Sequence, residues 1–271
     1  MKFSDIAELI QSSQKLFVAT GAGISVNSGI PDFRGKKGLY QSNTTIKNGK
    51  KLSSINPETI LSHDFFFKYP QAFYEFYFEK MYHPTVQPNS GHKILAEWEK
   101  NGKQVDIITQ NIDGLHTQAG SQHVIEYHGS IHTARCYNTK CQKVYTTEEL
   151  IERSKTMDDF YICDCGKSST KRYIKPDVVL FDERGTYFSN KWTSSIRHKM
   201  VKSDLIIVLG SSLKVFPFRS FIDNKPYNKP MVIINKEQLY QSTLPNTYTI
   251  TEDISTTMEA LHRIMNNGKQ R

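Results

Sequence analysis

At 271 residues, with 38% hydrophobic, 11% aromatic and 23% charged side chains, the chain can bury a sizeable core in one large domain or two smaller ones. No apolar stretch approaches the roughly 18 residues of a membrane span, and the opening MKFSDIAELIQSSQ has amphipathic-helix spacing without the apolar block of a signal peptide, so no membrane partner is expected and the expected location is cytoplasmic. The net charge of +8 favours anionic ligands, but the lysines are dispersed, and their densest group, Lys36, Lys37, Lys47, Lys50 and Lys51, lacks the interleaved aromatics of a stacking platform, so no specific nucleic-acid partner is expected.

A helical pattern over 4–13 is followed by a short apolar run, Leu16 to Ala19, that ends in GAGISVNSGIPDFRG, residues 21–35. A strand ending in Gly21-Ala22-Gly23 suits a turn whose backbone N–H groups approach a phosphate, although a plain strand-to-helix turn reads equally well from these residues alone. Asp32, Phe33 and Arg34 then place an acid, an aromatic ring and a guanidinium in a loop stiffened by Pro31, a composition suited to holding a ligand. Residues 36–83 run from a lysine-rich stretch into an aromatic-dense segment of helical period and read as an insertion.

A helix over 89–101 precedes a second buried strand, 105–109, which ends in TQNIDGLHTQAG. Gln110, Asn111 and Asp113 bring amide and carboxylate groups to that strand terminus, where they can hydrogen-bond hydroxyls and a carboxamide. EYHGS follows, with His128 between an extended segment and a glycine, a place from which a general base can act near neutral pH. His116 and His132 lie close by in sequence, and residue type alone does not choose among the three.

All four cysteines fall within 132–170: Cys136 and Cys141, then Cys163 and Cys165. Two close pairs suit tetrahedral Zn²⁺ in a closed structural shell, although C-x₄-C and C-x-C both depart from the commoner C-x₂-C. Two disulfides or four independent thiols are the alternatives, the first disfavoured without a secretory signal.

A helix over about 189–201 leads to a third strand, 204–210, ending in Gly210, Ser211 and Ser212, another turn suited to an anion. A fourth, 231–235, ends in Asn235, Lys236 and Glu237, where a carboxylate can reach ribose hydroxyls. Short continuous apolar runs alternating with helices indicate an α/β, Rossmann-like doubly wound parallel sheet, with ligand groups at the carboxyl ends of four strands. The expected division assigns 1–35, 84–131 and 171–271 to a dinucleotide-binding domain. The helical insertion, 36–83, and the cysteine module, 132–170, would form a smaller one.

The motifs GAGISVNSGIPDFRG, SGH (90–92), TQNIDGLHTQAG, EYHGS, the paired cysteines, KPDVVLFDE (175–183), GSSLKVFP (210–217) and INKE (234–237) occur in one order over nearly the whole chain, and on them the sequence resembles the sirtuins, NAD-dependent protein-lysine deacylases. The resemblance implies that Gly21, Ala22, Gly23, Ser25, Asp32, Phe33 and Arg34 bind the pyrophosphate and nicotinamide half of NAD, with Asp113 on the carboxamide and Gln110 and Asn111 on the ribose. Gly210, Ser211, Ser212, Asn235, Lys236 and Glu237 would hold the phosphates and the adenosine end. It selects His128, in the family's His-Gly pair, as the base, with Asn111 beside it in the catalytic set, and Zn²⁺ for the four cysteines.

The implied partner is an acylated-lysine protein or peptide, added as a strand between Val179–Phe181 and 214–216, with Val215 on the second side and the acyl chain beside Phe181. Nicotinamide and 2′-O-acyl-ADP-ribose would be released. ADP-ribosyl transfer to protein and a non-catalytic zinc-dependent binding module are the alternative functions. Two departures stand out. Asp182 occupies the place of the family's usual glycine in Phe-Gly-Glu, and Tyr77-Phe78-Glu79-Lys80 carries a lysine where sirtuins that prefer acidic acyl groups have arginine, so an acetyl preference is expected.

Overall fold

The apolar runs become the centre of a parallel sheet because each can be covered on both faces. The computed structural model describes residues 2–32, 55–166, 172–183 and 190–267. In chain order these form α1 (Phe3–Ser12), β1 (Lys15–Thr20), α2 (Pro57–Ile60), α3 (His63–Lys68), α4 (Pro70–Lys80), α5 (Ser90–Lys100), β2 (Gln104–Thr109), α6 (Leu115–Gln118) and β3 (Val124–Glu126). There follow β4 (Gly129–Cys136), β5 (Val144–Thr146), α7 (Thr147–Ser154), β6 (Ile174–Val178), α8 (Asn190–Lys202), β7 (Leu205–Leu209), α9 (Phe218–Asp223), β8 (Met231–Ile234), β9 (Thr247–Ile250) and α10 (Ile254–Asn267).

Six strands pair in the order β3-β2-β1-β7-β8-β9, every pairing parallel. Side chains alternate across the sheet, so each strand feeds two cores. Leu16, Val18, Leu205, Ile207, Leu209, Val232 and Ile234 pack with Ile6, Leu95, Trp98, Met258 and Leu261 of α1, α5 and α10. Phe17, Ala19, Ile206, Val208, Met231 and Ile233 pack on the opposite face with Ile196, Met200, Phe218 and Ile222 of α8 and α9. Strands buried on both faces read as unbroken apolar runs, which is why these four were legible in the sequence. The edge strands β3 and β9, three and four residues long, carry no such run.

A second sheet, antiparallel in the order β5-β4-β6, has a core of its own shared with α2–α4. The aromatic segment of helical period is not one helix. Ser62 breaks it by accepting from the N–H of Phe65 (3.3 Å), and Pro70 opens a new helix, giving three short helices whose rings stack edge-on, as Phe66 does on Phe73 at 5.0 Å.

The order of the large sheet fixes where a ligand can bind. The chain moves outward through β2 and β3 on one side of β1 and through β8 and β9 on the far side of β7, so β1 and β7 flank the point where strand order reverses. In open α/β sheets the crevice forms there, beyond the carboxyl ends of the strands.

Candidate active site

The turns after β1 and β7 meet backbone to backbone. Gly23 N–H donates to the carbonyl of Gly210 at 2.8 Å, and Gly21 N–H to that of Leu209 at 3.1 Å. A Cβ at Gly23 would lie 2.7 Å from Gly210 Cα, and one at Gly210, where φ is +60°, 2.4 Å from the nitrogen of Ile24. The glycines are therefore required by this crossing, and the cradle it forms leaves backbone at the mouth of the crevice, the close approach a pyrophosphate needs. Ala22 and Gly23 are half-buried at its edge.

Around the cradle, polar side chains from separate strand ends interlock. Asn111 Nδ2 donates to Ser25 Oγ (3.0 Å), and Ser25 Oγ donates to Asp113 Oδ2 (2.7 Å), while Asp113 Oδ1 accepts from Leu115 N–H at the start of α6 (3.0 Å). Asn111 also reaches the carbonyl of Gly21 (3.3 Å). On the β7 side Ser211 Oγ donates to Gln110 Oε1 at 2.7 Å and accepts from Leu213 N–H at 3.2 Å. Each bond fixes a rotamer before any ligand arrives.

The three histidines separate on position. His116 is buried, its Nε2 3.0 Å from Thr20 Oγ1 and its ring 4.7 Å from that of buried His92. Burial holds His116 well below the usual imidazole range and brings His92 down to about 4. His132 is exposed and spends Nε2 on the carbonyl of Asp113 (3.0 Å). His128 is half-buried at the end of β3, with Nδ1 3.0 Å from the carbonyl of Gln110. A carbonyl only accepts, so the proton sits on Nδ1 and the Nε2 lone pair remains for a substrate proton. Burial lowers the His128 pKa, a shift that its bond to Gln110 opposes, so the ring is neutral at pH 7.

His128 is also set by the smaller sheet. Gly129 has φ +87°, and a Cβ there would fall 1.9 Å from the carbonyl oxygen of Asp177, so β6 can pass closely enough for Val179 N–H to donate to the His128 carbonyl at 2.9 Å. Phe181, 37% exposed, has both backbone groups paired with the helical insertion, its N–H on the carbonyl of Leu61 and its carbonyl on the N–H of His63. Strand addition along 179–181 is therefore limited: Phe181 offers no free edge, and none of these bonds uses the carbonyl of Val179. Buried Lys175 and half-buried Glu183 pair at 3.0 Å and brace this segment, Glu183 also accepting from Leu180 N–H. Neither lysine nor glutamate stood out in the sequence beyond its motif.

The remaining expected positions fall on the same rim. Ser212 is exposed and Val215 half-buried beyond β7; Asn235 is half-buried, with Nδ2 on the carbonyl of Glu237 (3.0 Å), and Lys236 pairs with Asp253 at 3.4 Å. Asp32 is half-buried. Phe33, Arg34 and the lysine group at 36–51 lie outside the described residues. Glu126, which sequence reasoning passed over, is pushed up to about 7 by burial, with the Asp113 charge adding to the rise and His132 opposing it.

The four cysteines converge although their spacings are irregular. Asn138 accepts from the N–H groups of Cys141 and Gln142, and Gln142 turns left-handed at φ +53°, so the longer first knuckle folds back. The sulfurs all lie within 4.8 Å of one another, with Cys136–Cys165 at 4.0 Å and Cys141–Cys163 at 3.8 Å. A tetrahedron with metal–sulfur bonds of about 2.3 Å has edges of about 3.8 Å, so the donor set fits Zn²⁺ in size and chemistry.

Among the described residues no helix is long and apolar enough to cross a membrane. The model of the Sir2 family matches residues 21–217. An NAD-dependent protein deacetylase of Clostridium tetani is 40% identical over 233 residues, 86% of each chain, and one of Listeria monocytogenes serovar 1/2a is 36% identical over 245 residues, 90% of this chain and 93% of that protein. Among solved structures, a Sir2 with a p53 peptide and NAD⁺ superposes over all of both chains with a TM-score of 0.78 at 30% identity. A match of this extent, on a parallel sheet whose strand ends carry the expected glycines, amides and histidine, places the chain in one group: it belongs to the Sir2 family.

Proposed function

We propose that the chain is an NAD-dependent protein-lysine deacetylase. The observation that carries the reading is His128, neutral, its Nδ1 proton held by the Gln110 carbonyl at the carboxyl end of β2, which leaves the Nε2 lone pair to accept a proton. NAD, when bound, supplies an ADP-ribosyl group with nicotinamide as its leaving group, and so an acceptor for the acyl chain.

Each residue then has a task. Gly21, Ala22, Gly23, Gly210, Ser211 and Ser212 line the anion cradle, and the Asn111–Ser25–Asp113 chain presents amide and carboxylate groups to a ribose and a carboxamide. Asp32, Asn235, Lys236 and Glu237 are assigned to the same ligand, the last three to its adenosine end, and Val179, Phe181 and Val215 to the acyl-lysine peptide. His128 Nε2 takes a proton from a ribose hydroxyl, which makes that oxygen a nucleophile toward the acyl carbon. Holding both reactants in one crevice supplies much of the acceleration, because the amide oxygen of an acyl-lysine is a weak nucleophile.

Zn²⁺ is assigned to Cys136, Cys141, Cys163 and Cys165 in a structural role, supported by the sulfur separations. The division into a dinucleotide-binding part (1–35, 84–131 and 171–271) and a smaller part (36–83 and 132–170) is supported by the two sheets with their separate cores, save that the start of β4 and all of β6 (Ile174–Val178) pair and pack in the smaller sheet and move to that part.

The test is nicotinamide release from NAD with and without an acetyl-lysine peptide. Peptide-dependent release with formation of acetyl-ADP-ribose is expected. Peptide-independent release with ADP-ribose attached to protein would replace this reading with ADP-ribosyl transfer.

A further inference from the structure

Tyr145 lies at the centre of β5, 4% exposed, with its hydroxyl 3.1 Å from Cys163 Sγ and 3.2 Å from Asp164 Oδ1. A phenol has one proton to give, and two acceptors compete for it. The carboxylate is already served: Lys143 Nζ is 3.0 Å from Asp164 Oδ1 and 3.1 Å from Oδ2. A metal-bound cysteine carries no proton, so between Tyr145 and a ligating Cys163 only the phenol can donate.

The surroundings strengthen that donor. Lys143 Nζ and Arg153 Cζ stand 5.0 and 5.5 Å from the centroid of the Tyr145 ring, and cations over the ring draw charge from it. Arg153 also donates to the carbonyls of Phe160 and Ile162, tying α7 to the segment that delivers Cys163. Four thiolates leave a divalent ion with a net negative shell, and the tight Cys163-Asp164-Cys165 knuckle adds a carboxylate to it. A donor to sulfur lowers that charge, and Lys143 offsets the carboxylate.

We propose that Tyr145 is a positioning residue of the metal site: it donates a hydrogen bond to Cys163 Sγ, and Lys143, by occupying Asp164, keeps the phenol proton directed at the sulfur. The irregular C-x-C spacing is thereby supported by an outer shell built from β5 and α7. This rests on zinc binding by the four cysteines.

The experiment uses the full chain loaded with Zn²⁺, release being followed with a chromophoric chelator, and the same chain loaded with Co²⁺, whose thiolate-to-metal charge-transfer band reports the electron density on sulfur. Tyr145→Phe should release zinc about 10-fold or more faster and move the band to lower energy. Lys143→Met, at an exposed site outside the core, should move both readouts in the same direction by less, and serves if Tyr145→Phe does not fold. A wild-type chain that takes up no metal would overturn the zinc assignment itself. A chain that holds zinc while the variants keep its release rate and band would overturn the role of Tyr145 alone, as would faster release with an unmoved band, which is loss of packing only.

Discussion

Replacing Gly23 by alanine separates steric need from conformational need at the cradle. The backbone φ of Gly23 is not in the left-handed region, so alanine can adopt its conformation without torsional strain, and the cost comes from contact. The new Cβ would stand 2.7 Å from Gly210 Cα and 2.8 Å from its carbonyl oxygen, about 1 Å inside ordinary contact, and both are backbone atoms that cannot rotate away. Relief requires the turns after β1 and β7 to part and the 2.8 Å hydrogen bond between them to lengthen. Overpacking of this kind costs about 1–3 kcal/mol, which in a chain of this size lowers Tm by roughly 2–12 °C. Because the parted turns form the anion cradle, NAD affinity should fall about tenfold or more as well. Gly29→Ala is the control: φ is +98° but no atom lies within 4 Å of its Cβ, so about 1 kcal/mol of stability should be lost with NAD affinity intact. Calorimetric Tm and NAD titration read both quantities. Wild-type Tm and NAD affinity in Gly23→Ala would refute the reasoning.

His128→Ala should abolish deacetylation while NAD affinity stays within a few-fold, and wild-type activity should fall with pH only below 6.5, since burial lowers the pKa of the base; a kcat/KM profile that declines from pH 8 would contradict this. Buried His92 and His116 also have lowered values and so favour the unfolded chain as pH falls through 6.5 toward about 4, whereas Glu126, raised to about 7, takes up its proton first in the folded chain and opposes them; in Glu126→Gln the histidines' loss of stability, a few kcal/mol, should stand alone in denaturant titrations. Cys163→Ser or chelation should lower Tm and solubility together with activity, because metal affinity is folding energy in such a module; an apo chain with wild-type Tm would exclude a structural metal. Acetyl-lysine should exceed succinyl-lysine in kcat/KM about tenfold or more, since Lys80 is held by Glu79 at 2.6 Å and Tyr77 is buried, leaving no free cation on that turn; the reverse order, reduced by Lys80→Met, would show otherwise. Asp182 is exposed at φ +61°, so peptides with arginine beside the acyl-lysine should be favoured over those with glutamate by up to about fivefold at low salt, and Asp182→Asn should remove the preference.

What the sequence by itself determined lies in features that neighbouring residues decide. Strands buried on both faces are apolar at nearly every position, Asp106 of β2 being held by Lys199, so 16–19, 105–109, 204–210 and 231–235 announced a parallel sheet, and Gly21-Ala22-Gly23 marked a turn at the end of the first. Four cysteines in two pairs announced a cluster of sulfur donors, and the fold brings all four within 4.8 Å of one another. Tertiary structure decided everything that depends on residues far apart in the chain. The short edges β3 and β9 are strands because a neighbour offers them hydrogen bonds, and the three short helices into which Ser62 and Pro70 divide the aromatic segment are brought together by ring contacts such as Phe66 on Phe73. Gly23 is fixed by Gly210, Ser25 by Asp113 and Tyr145 by Cys163, partners that no local pattern pairs. Among the histidines, residue type could not choose. Burial closes His116, and the Asp113 carbonyl holds His132 at the exposed surface of β4, whereas the Gln110 carbonyl holds half-buried His128 by Nδ1 beside the strand ends and leaves Nε2 to react, a placement that exists only once the strands are side by side.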